Sequence, residues 1–192
     1  MPEGNTIPIA GYLGILYFGS EFLLGLVRRA KGGARSPADR GSTLVLWLVI
    51  MPSVFLGFQF EYGWPAAGWP PQPWLNVVGI ATTLAGLVLR WYAIIWLGRF
   101  FTVNVAIAAD HQLIDTGPYR WLRHPSYTGA LLAFLGLALC TQNWASLAII
   151  VVGPAAAFSY RIHVEEAALA GAFGDRYRQY MQRTWRLVPG LY

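Results

Sequence analysis

Between Asp110 and Gly129 the chain reads DHQLIDTGPYRWLRHPSYTG, its longest polar, aromatic and cationic run, with long apolar segments on both sides. A loop rich in Tyr, His and Arg at the mouth of a membrane helix is a place where a water-soluble reagent can meet a lipid-dissolved one. Within RHPSY, Pro125 lacks an amide hydrogen and biases His124 away from helical geometry. His124 therefore reads as a loop residue and Pro125 as the first residue of a helix. The N-terminus of that helix presents free amides and positive potential, which attract a carboxylate.

A second set of groups closes the last apolar stretch. Arg161 and Glu165 are four residues apart and share a helix face, with Glu166 beside them. As an isolated surface pair, Arg161 and Glu165 contribute at most about 1 kcal/mol. They fall, however, where an apolar span meets water, facing a loop rich in polar groups, and a charge held there needs a partner.

Other chemistries lack their residues. The sequence has no GxGxxG after a strand, no phosphate-binding P-loop pattern and no HExxH. With only His111, His124 and His163 and a single cysteine, Cys140, no metal site and no intrachain disulfide are expected. Cys140 reads as a small buried apolar residue and His163 as an interfacial helix residue. Ser126 has His124 nearby, but no orienting acid completes a nucleophile.

The elements that must position these groups are membrane spans. Of the 192 residues, 56% are hydrophobic and 12% charged, which is not a soluble composition. An all-α integral-membrane fold in one domain is expected, with about five transmembrane helices over 7–27, 43–60, 74–97, 124–140 and 144–163. About 20 apolar residues are needed to cross some 30 Å of hydrocarbon, and 124–140 is barely long enough. It should begin inside the Arg123–Tyr127 segment and, through the short turn Thr141–Gln142–Asn143, form an antiparallel hairpin with the next span. Residues 98–123 and 164–192 then make the cytosolic catalytic segments, with a cofactor pocket between the loop before helix four and the C-terminal helix. Pro52 lies inside the second span, where neighbours must satisfy the carbonyl it frees. Residues 61–73, EYGWPAAGWPPQP, form an interfacial loop with tryptophans at headgroup level. Glu21 and Arg90 lie within spans. Glu21 is either a functional carboxyl or a protonated or partnered one, and snorkelling is the favoured reading of Arg90.

Charge fixes an expected topology. Five Lys or Arg lie between the first two spans, Arg99, Arg120 and Arg123 between the third and fourth, and five more from Arg161 onward, while the alternate loops have none. The positive-inside rule places the N-terminus outside and the C-terminus in the cytosol. The net charge of +5 is scattered among apolar spans rather than gathered on a soluble face, so anionic lipid headgroups are expected as neighbours and nucleic acid is not.

The order HQLIDTGPYRWLRHPSYTG, then EE after the fifth span, then FGDRYRQYMQRTWRLVPGLY resembles the isoprenylcysteine carboxyl methyltransferases and their prokaryotic relatives, within the wider phospholipid methyltransferase-like group. The likeness covers roughly the C-terminal half. It implies a membrane enzyme that binds S-adenosyl-L-methionine without a Rossmann domain, in a cytosolic pocket beneath a membrane-open tunnel. By match to the motif, His111, Gln112, Leu113, Ile114, Tyr119, His124, Pro125, Ser126, Tyr127 and Glu165 would hold the cofactor, with a weaker role for Asn104. Arg161 would meet the substrate, Arg123 would organise the transfer site, and Glu165 would face the sulfonium. The acceptor implied is a membrane lipid or lipidated amphiphile, with carboxyl methylation of an isoprenylcysteine-like substrate as the leading assignment. The alternatives are a lipid amine methyltransferase, an NADPH-dependent sterol or enone reductase, and a non-catalytic membrane scaffold.

Overall fold

The computed structural model describes residues 8–27, 37–101 and 112–192. Among these the regular elements are helical: α1 (Ile9–Val27), α2 (Pro37–Gly63), α3 (Pro73–Leu97), α4 (Pro125–Cys140), α5 (Trp144–Phe173) and α6 (Asp175–Gln182), with single 3-10 turns at Pro65–Ala67, Gly98–Phe100 and Gly117–Arg120. Their boundaries follow local chemistry. Proline opens α3 and α4, where its missing amide hydrogen costs nothing. Asn143 caps α5 by accepting from the amides of Ala145 (2.9 Å) and Ser146 (3.1 Å), while its own amide donates to the carbonyls of Phe60 and Trp64 at the end of α2. Gly174, with φ of 55°, ends α5 and turns the chain into α6.

Among the described residues four helices, α1, α2, α3 and α5, are long and apolar enough to cross a membrane. The fifth expected span, α4, is shorter at 16 residues, or about 24 Å at 1.5 Å per residue. It forms the centre of the bundle, with Ala130, Ala133, Phe134, Leu137 and Ala138 all buried. The outer faces of the longer helices are apolar and exposed, as at Phe22, Leu48, Val88 and Val152, the arrangement of a protein whose solvent is lipid. Helix α5 runs past the expected limit at 163 to Phe173, and so carries Glu165 and Glu166 on continuous helix.

Helices α3 and α4 pack backbone to backbone. Gly79 and Gly86 on α3 face Gly136 and Gly129 on α4, in antiparallel order with a seven-residue spacing on each helix. A Cβ at Gly86 would sit 2.5 Å from the Gly129 carbonyl oxygen, and one at Gly129 would sit 2.6 Å from the Arg90 nitrogen. Small residues on a shared seam supply association in lipid, where no hydrophobic force drives it. A second seam joins α2 to α5, where the Ser146 hydroxyl donates to the Gly57 carbonyl at 2.6 Å.

Arg90 does not snorkel. Its side chain is buried against α1, where Nε and Nη2 donate to the two oxygens of Glu21 at 2.5 and 2.7 Å. Glu21 on α1 supplies the buried partner that a guanidinium within a span needs.

Candidate functional site

The polar groups gather at the end of the bundle where α4 begins and α5 finishes. The segment before α4 is held from three sides. The Tyr119 hydroxyl donates to the Ala93 carbonyl on α3 (3.3 Å), and the Tyr180 hydroxyl on α6 donates to the Tyr119 carbonyl (2.7 Å). The chain after α6 then pairs with 121–124 in a short parallel bridge: Trp185 N donates to Trp121 O at 3.0 Å, Arg123 N to Trp185 O at 2.7 Å and His124 N to Arg186 O at 3.1 Å. The Thr128 hydroxyl extends the contact to the Leu187 carbonyl at 2.8 Å. Gly117, at φ of 58°, lies so close to the Trp96 ring that a side chain would collide with it, which fixes the turn beneath α3.

Glu166 is the hub. Its side chain is only 7% exposed, and it accepts from Arg123 Nε at 2.7 Å and Arg186 Nε at 3.0 Å, with His124 Nε2 3.3 Å away. Arg123 Nη1 also donates to the carbonyls of Met181 (2.9 Å) and Thr184. A buried carboxylate with two guanidinium partners binds α5, the loop and the tail into one unit. The motif match contains Glu166, in EE, and Arg186, in the tail, but gives neither a role. The signal was helical phase, since Phe158, Ile162 and Glu166 recur every four residues on one buried face.

Glu165 is more open, at 31% exposed, and accepts from the Tyr127 hydroxyl at 2.9 Å. The Tyr127 ring lies between His124 (centroids 5.6 Å apart) and Phe158 (5.0 Å), both stacked. Arg161 is buried, and its Nη1 donates to the hydroxyls of Ser42 (2.6 Å) and Thr43 (2.7 Å) on α2. Burial holds the phenols of Tyr119, Tyr177 and Tyr180 protonated well above the usual range. Tyr177 is 1% exposed, and its hydroxyl takes no partner among the described residues, within electrostatic reach of Glu166, Glu165 and Arg123.

The expected residues are thus brought together unevenly. His124, Pro125, Ser126, Tyr127, Arg161 and Glu165 converge where α4 meets α5, and Tyr119 buttresses them from the turn beneath α3. Gln112 is exposed and Leu113 and Ile114 half-buried along the loop; Asn104 and His111 lie outside the described residues. A separate cleft of about 390 Å³ lies at the opposite end of the bundle, lined by Trp69, Leu75, Leu139 and Trp144 among others, and contains none of the candidates.

Residues 78–171 match the model of the isoprenylcysteine carboxyl methyltransferase (ICMT) family. The resemblance carried by the loop motif is to this family. Over 118 residues the chain is 32% identical to a protein-S-isoprenylcysteine O-methyltransferase of Tribolium castaneum, which covers 60% of this chain and 42% of that protein. It is 36% identical over 118 residues to protein-S-isoprenylcysteine O-methyltransferase B of Arabidopsis thaliana, covering 60% of each. Among solved structures, the eukaryotic intramembrane Ras methyltransferase ICMT aligns with a TM-score of 0.70 at 27% identity, over 95% of this chain and 65% of that one. The chain spans 42% and 60% of the length of these two curated relatives. With an intramembrane relative superposing on its apolar helices, it is a multi-pass integral membrane protein. The ICMT match contains Arg123 to Tyr127, Arg161, Glu165 and Glu166; Glu21, Ser42 and Arg186 fall outside it.

Proposed function

We propose that the chain is an integral-membrane, S-adenosylmethionine-dependent methyltransferase that esterifies the carboxylate of an isoprenylcysteine-like acceptor. The observation that carries this reading is the convergence of Glu165, Tyr127, His124 and Arg161 at one end of the bundle, braced by the Arg123–Glu166–Arg186 network. The ICMT family model matches the stretch that holds all of these groups except Arg186.

The residues present fit the donor. Glu165 offers a partly open carboxylate to a cationic centre, and the Tyr177 hydroxyl, without a partner among the described residues, is a buried donor in want of an acceptor. S-adenosylmethionine supplies, when bound, an electrophilic methyl group on a sulfonium sulfur. Of the motif residues, Gln112, Leu113, Ile114, Tyr119 and His124 to Tyr127 would hold it, together with Glu165 and, in the undescribed stretch, Asn104 and His111.

The protein's part is alignment, because a carboxylate acceptor needs no general base. Tyr127 orients Glu165 by donating to it, and Arg161 stands one helical turn before Glu165, placed to hold an anionic acceptor. Arg123 acts as organiser: three of its contacts are committed to Glu166 and to the Met181 and Thr184 carbonyls. We further propose that α4 completes a five-helix membrane domain, with the catalytic segments 98–123 and 164–192 and the C-terminus in the cytosol, near anionic headgroups. Isothermal titration of the purified protein with S-adenosylmethionine and, separately, with NADPH tests the class. Saturable binding of the first alone is expected; binding of NADPH alone would replace this reading with a reductase.

A further inference from the structure

Glu21 and Arg90 are not among the groups assigned above, and Glu21 lies in α1, outside the stretch that matches the family. An ion pair serving only to staple α1 to α3 would need the two bonds that Glu21 accepts from Nε and Nη2. Arg90 makes a third. Its Nη1 donates at 3.1 Å to the carbonyl of Ser126, in the first turn of α4, between His124 and Tyr127. With Nε and Nη2 both held by one carboxylate, the plane of the guanidinium is fixed, and so is the direction of Nη1. The close seam makes this reach possible, because Gly129 lets the Arg90 backbone approach α4. One turn further along α3, the Ala93 carbonyl accepts from Tyr119, so a single stretch of α3 grips both flanks of the 119–127 segment.

We propose that Glu21, acting through Arg90, is a positioning residue for the transfer site, setting the start of α4 and with it the His124 and Tyr127 rings. This rests on the methyl-transfer reading. The pair is held in a bundle where a lone charge finds few partners, so single removals threaten folding and double variants are required.

The test uses the purified full-length chain in detergent, with S-adenosylmethionine as probe. E21R/R90E keeps opposite charges at the two positions but puts a carboxylate, which cannot donate, where Arg90 donates to the Ser126 carbonyl. E21M/R90M replaces the pair by apolar groups. Both are expected to keep a melting temperature close to that of the unaltered protein, to weaken donor binding about ten- to a hundredfold, the worth of one charge-assisted hydrogen bond, and to speed hydrogen exchange at amides 127–130 but not at 132–139. Unchanged affinity and unchanged exchange at 127–130 in a thermally intact double variant would overturn the proposal. If both doubles lose thermal stability, R90K decides it: faster exchange confined to 127–130 supports positioning, and a uniform rise along α4 overturns it. Should the unaltered protein bind no S-adenosylmethionine, the methyl-transfer reading fails by itself, and exchange at 127–130 still decides whether the pair sets this segment.

Discussion

Replacing Glu166 by alanine should release the C-terminal tail, and the size of the effect follows from the contacts. Arg123, whose side chain is 9% exposed, loses its carboxylate partner at 2.7 Å. Breaking a buried pair from one side costs about 3–5 kcal/mol, because the remaining charge is left buried. Arg186 is 35% exposed and adds no more than a surface pair, about 0–1 kcal/mol. Glu165→Ala is the internal control, since that carboxylate is 31% exposed and accepts from the Tyr127 phenol, a bond worth about 1 kcal/mol, with His124 Nδ1 farther off at 3.9 Å. Hydrogen exchange followed by mass spectrometry over residues 177–187 reads the difference. At about 1.4 kcal/mol per tenfold, Glu166→Ala should reduce protection there by roughly a hundredfold or more, and Glu165→Ala by less than tenfold. Equal effects would refute the assignment of Glu166 as the hub, and with it the claim that the tail is fastened through Arg123.

Three further outcomes follow from the packing. Gly129→Ala should destabilise by about 1–3 kcal/mol through overpacking against α3, whereas Gly171→Ala, in open space on α5, should gain about 0.5–1 kcal/mol; thermal melts of the two variants check the contrast. Asn143→Ala removes the α5 cap and leaves the Phe60 and Trp64 carbonyls without its amide, so a loss of about 1–2 kcal/mol is expected in denaturant titration. Tyr119, Tyr177 and Tyr180 have phenol pKa values raised by burial, so their contribution is fully present below the unfolded value near 10 and is lost as pH rises beyond it. Melting temperature should therefore fall above about pH 10, and the Tyr180→Phe variant should fall less steeply.

Much of this arrangement could be read from residue order. Pro125 announced the start of α4, and the Thr141–Gln142–Asn143 break announced the hairpin, because proline and a capping asparagine act through their own backbone neighbourhoods. Convergence of the loop with Glu165 followed from span alternation. The misses have a common cause, which is that helix-to-helix partnership is not local. Arg90 and Glu21 are 69 residues apart, so snorkelling looked the nearer solution for an isolated guanidinium, although both lie at similar depth in their spans. Glu165 and Glu166 are adjacent, and only the phase set by Phe158 and Ile162 tells which one points inward. The seven-residue glycine spacing on α3 and α4 was likewise present in the sequence, but its meaning depends on the two helices being neighbours.

The most direct measurement of the central claim is methyl transfer itself. Purified protein in detergent is mixed with methyl-labelled S-adenosylmethionine and an N-acylated isoprenylcysteine bearing a free carboxylate. The account predicts label in the lipid-soluble product that is released as volatile methanol on treatment with base, the behaviour of an ester, and much less of it with Glu165→Gln. Label that resists base would place the methyl somewhere other than the carboxylate and contradict the proposed reaction, as would no transfer from a donor that nevertheless binds.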